Sequence, residues 1–582
     1  MRLLPADSAE GRLPRFEIGL LWLTVVATLA ALFWPKLDES FASPDNLMRL
    51  VQVRGLLDGA PWFDPHEPRF APPLGYDTHW SRLIDAGVGG MILLFRTIVS
   101  PDLAERLARC IWPLLLSGPT VCAVAAIASR LGGVGAGRAA LLAALTTLPL
   151  LPIFRPGEID HHNLQVMLAL TIVACAMWSE RPYMAAAAGL AGGVLLSVGL
   201  EAAHILAAVA ATFGLLIVFD PAWRRPAAEF GSTLTLSTLA GYLALTPGAF
   251  RFASACDALA VNSAVAVAVG GAGIVAVAWF GGTWTRGMRF FGLGCAGILA
   301  LGIYVAFEPR CLHGPFGLID RTIFSLWLDR VREMQSVWSL LRIDGIQALV
   351  YIAFPVATAL SVVLLVRNGI STPFGWALIV AFSISVLIMC SQIRMLFYVT
   401  WLGLPLVGAA VQLLAERTSR PPLTRVLAAV LASPPIVAFV AMTLTSQMAQ
   451  TRATPNEDAD DGCFRSGDYR TLASLPVGMV FGPIDLGPAI LAHTPHSIVA
   501  APYHRADRAV RFNQEVMAGT SAEARPRIIE RGADYVVTCI VRPATSSSGS
   551  FNDALLAEAP GPWLVSVPTP ATDRVKIWRV VR

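Results

Sequence analysis

The sequence predicts a polytopic α-helical membrane protein that ends in a small α/β domain. Three observations lead there. Of 582 residues, 55% are hydrophobic and only 14% charged, and the mean hydropathy is +0.60, which leaves too little polar surface for a soluble fold of this length. Apolar runs of about 20 residues, the length that lets a helix cross a bilayer with its backbone hydrogen bonds satisfied internally, recur between residues 16 and 446. Beyond residue 446 the long runs stop and short apolar segments separated by turns replace them.

Taken in order, the expected spans lie near 16–35, 109–129, 137–154, 161–178, 183–200, 202–219, 231–249, 258–280, 289–306, 345–366, 373–391, 394–415 and 424–446, about 13 transmembrane helices. The first lacks a small-residue cleavage site and reads as a retained anchor. The stretch 86–99 is shorter, carries Arg96 near its end, and reads as an interfacial or re-entrant helix. Arginine placement tests the count. With the N-terminus and its Arg2, Arg12 and Arg15 in the cytoplasm, the inside turns hold Arg130, Arg138, Arg181, Arg224, Arg225, Arg286, Arg289, Arg367, Arg417, Arg420 and Arg425. Arg155 and Arg251 fall outside. A full crossing at 86–99 would flip every later loop, so the charge pattern supports thirteen crossings and an external C-terminus; the expected location is a bacterial inner membrane.

The expected organisation is therefore a transmembrane domain, 1–446, with external hydrophilic loops at 36–108, 155–161 and 307–344, and a soluble periplasmic domain, 447–582. In the latter an acidic linker, Glu457 to Asp461, precedes strand 477–481, helix 486–493, strand 497–501, helix 521–531 and strand 534–539, with a loop at Thr545 to Ser550. Cys463 and Cys539 would share an oxidising compartment, either as a disulfide or as two free thiols. None of the nine cysteines forms a CxxC pair, which gives no zinc-ribbon or thioredoxin-like site. The dispersed net charge of +4 offers no nucleic-acid surface.

Polar residues collect in three of the external loops. The first holds Ser43-Pro44-Asp45-Asn46-Leu47-Met48-Arg49 and, further on, Pro73-Leu74-Gly75-Tyr76-Asp77-Thr78-His79-Trp80. The second holds Glu158-Ile159-Asp160-His161-His162, and the third Glu333-Met334-Gln335-Ser336-Val337-Trp338. Three polar residues opening a membrane helix are costly unless they are used, although Asp160 also suits a plain helix cap. Asp45 alone could punctuate a turn, and Glu333 alone could be a solvated charge. Converging on one membrane face, these carboxylates and imidazoles can bind a divalent cation such as Mg²⁺ or Mn²⁺. Arg394, at the outer end of the twelfth span, can grip a phosphate bidentately or snorkel to lipid headgroups.

In this order the motifs resemble those of the catalytic subunit of oligosaccharyltransferase, a membrane glycosyltransferase of the GT-C fold. Asp45 with Asn46 and Arg49 is similar to that family's first-loop motif, and Pro73 to Trp80 to the loop that follows it. Asp160-His161-His162 resembles the archaeal form of the second motif, and Glu333-Met334-Gln335 with Trp338 the Glu motif of the fifth external loop. The resemblance implies a GT-C-like fold in which Asp45, Asp160, His162 and Glu333 hold the cation, Asp45 or Glu333 acts on the acceptor, and Arg394 binds the donor phosphate. Where the family carries Trp-Trp-Asp-Tyr-Gly for an Asn-x-Ser/Thr acceptor, this chain has Pro483-Ile484-Asp485-Leu486-Gly487. Asp485 and Gly487 remain and both tryptophans are missing, so His79, His504 and Arg505 join Asp485 as acceptor-side candidates.

The expected activity is transfer of a sugar or oligosaccharide from a polyprenyl-phosphate or -pyrophosphate donor to an extracytoplasmic protein, glycan or lipid acceptor. The alternative is a single-sugar GT-C transferase acting on lipid A, a polysaccharide or a protein hydroxyl. A transporter or flippase would concentrate ionisable groups at the bilayer midplane, whereas here the span interiors are almost free of charge. An assembly factor would leave the three polar clusters unexplained.

Overall fold

The computed structural model describes residues 15–37, 43–369, 372–417, 422–448, 463–540 and 549–582. Arg2, Arg12, Arg420, the linker Glu457 to Asp461 and most of the loop Thr545 to Ser550 lie outside the described residues.

The helical part runs α1 (Arg15–Phe33), α2 (Pro44–Leu57), α3 (Arg82–Arg96), α4 (Pro101–Thr147), α5 (His162–Met177), α6 (Met184–Val198), α7 (Ala203–Phe219), α8 (Arg224–Leu245), α9 (Val261–Phe280) and α10 (Arg286–Phe307). The short α11 (Thr322–Leu326) and α12 (Val337–Ile343) lead into α13 (Gly345–Asn368), α14 (Pro373–Ser391), α15 (Leu396–Arg417), α16 (Pro422–Leu431) and α17 (Pro434–Met448). Seven of the described helices are long and apolar enough to cross a membrane, and four shorter ones are also apolar. The chain is a multi-pass membrane protein.

Helices stand at all the expected spans, with informative differences. The second and third spans are the two helical halves of α4, separated by non-helical backbone at Gly132 and Gly133. Gly133 has φ of 76°, a conformation open to glycine because it has no Cβ. The last span is two helices, α16 and α17, meeting at Pro434, whose ring removes an N–H from the helical ladder. The stretch 86–99 falls on α3, which buries Ile84, Val88 and Ile92 and leaves Leu93 and Leu94 exposed. An additional helix, α2, follows α1: Pro44 sits in its first turn with Asp45 beside it, both favourable at a helix N-terminus, and it buries Leu47, Met48, Leu50 and Val51.

Close helix approach depends on small residues. α6 presents Gly189 and Gly193, four residues apart, to α8. A Cβ at Gly189 would meet the Phe230 carbonyl at 2.3 Å, and one at Gly193 the Thr238 nitrogen at 2.6 Å. Backbones that approach this closely gain packing that lipid tails cannot supply.

The C-terminal region begins with α18 (Arg470–Ala473) and contains β3 (Met479–Phe481), α19 (Gly487–His493), β4 (Ser497–Ile498), α20 (Asp507–Ala518), α21 (Ser521–Arg531), β5 (Tyr535–Cys539), α22 (Phe551–Leu556), β6 (Leu564–Val567) and β7 (Val575–Val580). Its five strands are ordered β4-β3-β5-β7-β6, with β3 parallel to β4 and β5 and the β5–β7–β6 edge antiparallel. The sequence expectations locate the parallel half and omit α20, β6 and β7. Cys463 and Cys539 form a disulfide, and a second one joins Cys256 to Cys311.

This region lies on the loop after α2, where β1 (His66–Glu67) pairs with β2 (Tyr76–Asp77). The Ala71 N–H donates to the Ile498 carbonyl and the Ile498 N–H to the Arg69 carbonyl, both at 2.8 Å. Arg54 donates to the Ala492 carbonyl at 2.7 Å while its other edge grips Glu105.

Candidate active site

The site starts from Asn46, one residue into α2 from Asp45. Its Oδ1 accepts from the Ile159 N–H at 2.9 Å and the Asp160 N–H at 3.1 Å, and its Nδ2 donates to Glu158 Oε2 at 2.8 Å. The amide therefore clamps the turn that carries Asp160 against the start of α2, joining two loops more than a hundred residues apart in sequence. Behind it the buried Arg49 pairs with the buried Asp85 at 2.9 Å and lies 4.5 Å over the Trp80 ring. That guanidinium is scaffold: the Arg49–Asp85 ion pair and the Trp80 ring fix the floor of the site.

On this floor Asp160 faces two imidazoles. His161 Nδ1 stands 2.6 Å from Asp160 Oδ1, and His162 Nε2 stands 3.5 Å from Oδ2. One ligand atom from each of the three residues lies within 4.8 Å of the others. Two ligands about 2.1 Å from one ion stand roughly 3.0–3.5 Å apart, so the His162–Asp160 edge has the spacing of a shared cation. A mixed set of imidazole nitrogen and carboxylate oxygen fits Mn²⁺ or Zn²⁺ better than Mg²⁺, which prefers oxygen.

Asp45 and Glu333 stand outside that 4.8 Å cluster but within electrostatic reach of it. Burial pushes the Asp45 carboxyl up to about 7, with the charges of Asp160 and Glu333 adding to the effect. Burial acts on Asp160 in the same direction, but His161, His162 and Arg49 outweigh it and hold that carboxyl below its ordinary range. Glu333 is exposed in a 3-10 turn, Arg332–Met334. The Gln335 carbonyl in that segment accepts from the Ile393 N–H at 3.0 Å, which holds Glu333 close to Arg394.

Arg394 pairs with Glu201 at 2.6 Å. Glu201 was not among the residues singled out by sequence, yet its carboxylate also stands 3.3 Å from His162 Nδ1 and 3.3 Å from the Tyr398 oxygen, which donates its proton to Gln165 Oε1. Arg394 Nε is buried and has no hydrogen-bond partner among the described residues.

Three of the four acceptor-side candidates gather on the far side of Trp80. Arg505 pairs with both oxygens of Asp257, at 2.9 and 2.7 Å, and His504 Nε2 stands 2.7 Å from the same carboxylate. His79 packs its ring 4.6 Å from that of His504. Although His79, Asp257 and His504 offer atoms within 4.8 Å of one another, the arginine fork occupies the carboxylate and the 2.7 Å separation is that of a direct hydrogen bond. This cluster is an ion-paired clasp between the α8–α9 loop and the C-terminal region. Burial alone would raise Asp257, but His504 and Arg505 draw it far below the ordinary carboxylate range. The fourth candidate, Asp485, is exposed in the turn Ile484–Leu486 and forms no hydrogen bond or ion pair with any described residue. His79, Trp80, Asp257, His504 and Arg505 line a cavity of about 850 Å³.

The whole chain superposes on the archaeal oligosaccharyltransferase AglB of Archaeoglobus fulgidus, in a complex with an inhibitory peptide and a dolichol-phosphate. The TM-score is 0.60 at 13% identity, covering 95% of this chain and 73% of that one. The apo form of the Archaeoglobus fulgidus enzyme gives 0.61 at 15% identity over 94% of this chain and 73% of the other. Its complex with zinc and sulfate gives 0.57 at 14% identity, over 96% and 73%. The chain has the oligosaccharyltransferase fold. No protein-family model matches it and no curated protein matches its sequence.

Proposed function

We propose that this protein is a membrane glycosyltransferase that moves a sugar or oligosaccharide from a polyprenyl-phosphate or -pyrophosphate donor to an acceptor outside the cytoplasm. The observation that supports the reading is the closeness of Asp160 and His162, with Asp45 and Glu333 in electrostatic reach and Arg394 nearby with a buried Nε that has no partner among the described residues, on an oligosaccharyltransferase fold. Asp160 and His162 would hold a divalent cation, with Asp45 and Glu333 completing its charge. Such an ion would neutralise the charge that develops on the leaving phosphate, a contribution of several kcal/mol. Arg394 directs its Nε edge at the same phosphate. Asp45, in its ionised form and with its basicity raised by burial, accepts a hydrogen bond or a proton from the attacking acceptor group. The cavity beyond Trp80 has room for a saccharide, and its aromatic wall suits the flat apolar face of a sugar ring.

The test is a transfer assay with the native lipid-linked donor in membranes. Replacing Asp45 and Asp160 together by alanine should abolish transfer; full activity of that double variant would overturn the proposal.

A single-sugar transferase is favoured over an oligosaccharyltransferase by one observation. Asp485, at the position of the peptide-recognition motif, has no flanking tryptophans and no partner among the described residues. Analysing the lipid carrier that accumulates in a deletion strain separates the two, since it would bear either one sugar or a whole glycan.

A further inference from the structure

Glu201 occupies the short turn between α6 and α7, with its side chain 14% exposed. Each of its oxygens faces both sides of the site. Oε1 stands 2.6 Å from Arg394 Nη2 and 3.9 Å from His161 Nε2; Oε2 stands 3.3 Å from His162 Nδ1 and 3.3 Å from the Tyr398 oxygen, whose proton goes to Gln165 Oε1. A carboxylate on the remote nitrogen of a metal-binding histidine fixes its tautomer and ring orientation. Here Glu201 holds the His162 ring by charge across 3.3 Å and not through an aligned hydrogen bond, since the buried Nδ1 has no hydrogen-bond partner among the described residues, and His162 Nε2 stands 3.5 Å from Asp160 Oδ2. On the other side Glu201 takes a single Nη of Arg394, and the buried Nε, without a partner among the described residues, stays available to an anion.

We infer that Glu201 is a positioning residue that couples cation binding to donor-phosphate binding, by holding the metal-side imidazole of His162 and the phosphate-side guanidinium of Arg394 in one fixed relation. The inference rests on the glycosyltransferase reading above. Either ligand, by locking its own partner, locks Glu201 and so pre-orients the other. By thermodynamic linkage each must then raise the other's affinity by the same factor. A carboxylate that merely neutralised Arg394 would give no such reciprocity through His162.

The experiment uses the purified full-length protein in detergent. Mn²⁺ is titrated by electron paramagnetic resonance and farnesyl phosphate, a short isoprenyl phosphate, by calorimetry, each alone and in the presence of the other. In the wild type each ligand should tighten the other at least fivefold. Glu201→Gln should weaken Mn²⁺ about tenfold and bring the coupling factor close to one, while Glu201→Asp, which keeps the charge, should restore part of both. Wild-type Mn²⁺ affinity and undiminished coupling in Glu201→Gln would overturn the inference and leave the glycosyltransferase reading standing. A wild type that binds neither probe would remove both. Should Glu201→Gln not fold, Glu201→Asp, whose shorter side chain reaches neither partner as well, is compared directly with the wild type. Coupling that falls in that variant supports the inference, and unchanged coupling refutes it.

Discussion

Asn46 commits both ends of its amide to one turn, so its removal should act on Asp160 without touching any charge. Replacing Asn46 by alanine leaves the Ile159 and Asp160 N–H groups and the Glu158 carboxyl without their partner, a cost of about 2 kcal/mol when such groups are buried. We expect Mn²⁺ affinity to drop at least tenfold in that variant, measured by the same resonance titration, with a lower unfolding midpoint. Equal affinity would show that the turn is held elsewhere. At this scale the site was partly legible in sequence. Asp45, Asp160, His162 and Arg394 stand out because polar residues that abut an apolar run carry a desolvation cost and are retained for a reason. Glu201 met that same criterion, being a single acid between two apolar runs, but it had no polar neighbours to draw notice. Asp257 was hidden at the edge of an expected span, and the clasp it makes with His504 and Arg505 is a tertiary fact with no local signature.

Among the elements, the long helices were readable because the bilayer imposes one length and one composition on them. What interrupts them was less so. The break in α4 comes from two glycines and the split between α16 and α17 from Pro434, all embedded in otherwise apolar sequence. α2 escaped because it is half polar and lies in a loop; only its buried face, Leu47, Met48, Leu50 and Val51, marks it. The α6–α8 interface gives a direct test. Gly193→Leu drives a branched side chain into the α8 backbone, so thermal unfolding in detergent should begin at a markedly lower temperature. Gly297→Ala on α10, where a Cβ meets nothing within 4 Å, should leave the midpoint unchanged or slightly raised, because alanine favours the helix. Equal midpoints for the two variants would mean that the glycine contacts do not hold α6 to α8.

For the molecule as a whole, the clasp at Asp257 joins the helical part to the C-terminal region through a nearly buried carboxylate, 10% exposed. Its folded-state carboxyl lies below the usual 3.8, so the stability it contributes is fully present above that value and is lost as the pH falls toward the folded one. Truncating it leaves Arg505 and His504 without their shared partner, which costs on the order of 3 kcal/mol for a buried pair. The midpoint difference between wild type and Asp257→Ala should therefore be the same at pH 7 and pH 5 and narrow only below about pH 4. A difference that already shrinks between pH 7 and pH 5 would show that another group titrates in the clasp. The same docking has a consequence in time. Arg54 donates to a carbonyl 438 residues further along the chain, and Ala71 exchanges backbone hydrogen bonds with the Arg69–Ile498 pairing. A ribosome must therefore finish nearly the entire polypeptide before the earliest loop finds its permanent seat. Until then that loop waits with bare donors at the membrane surface, and a nascent chain truncated before residue 490 should present it to proteases that cannot reach it in the finished protein.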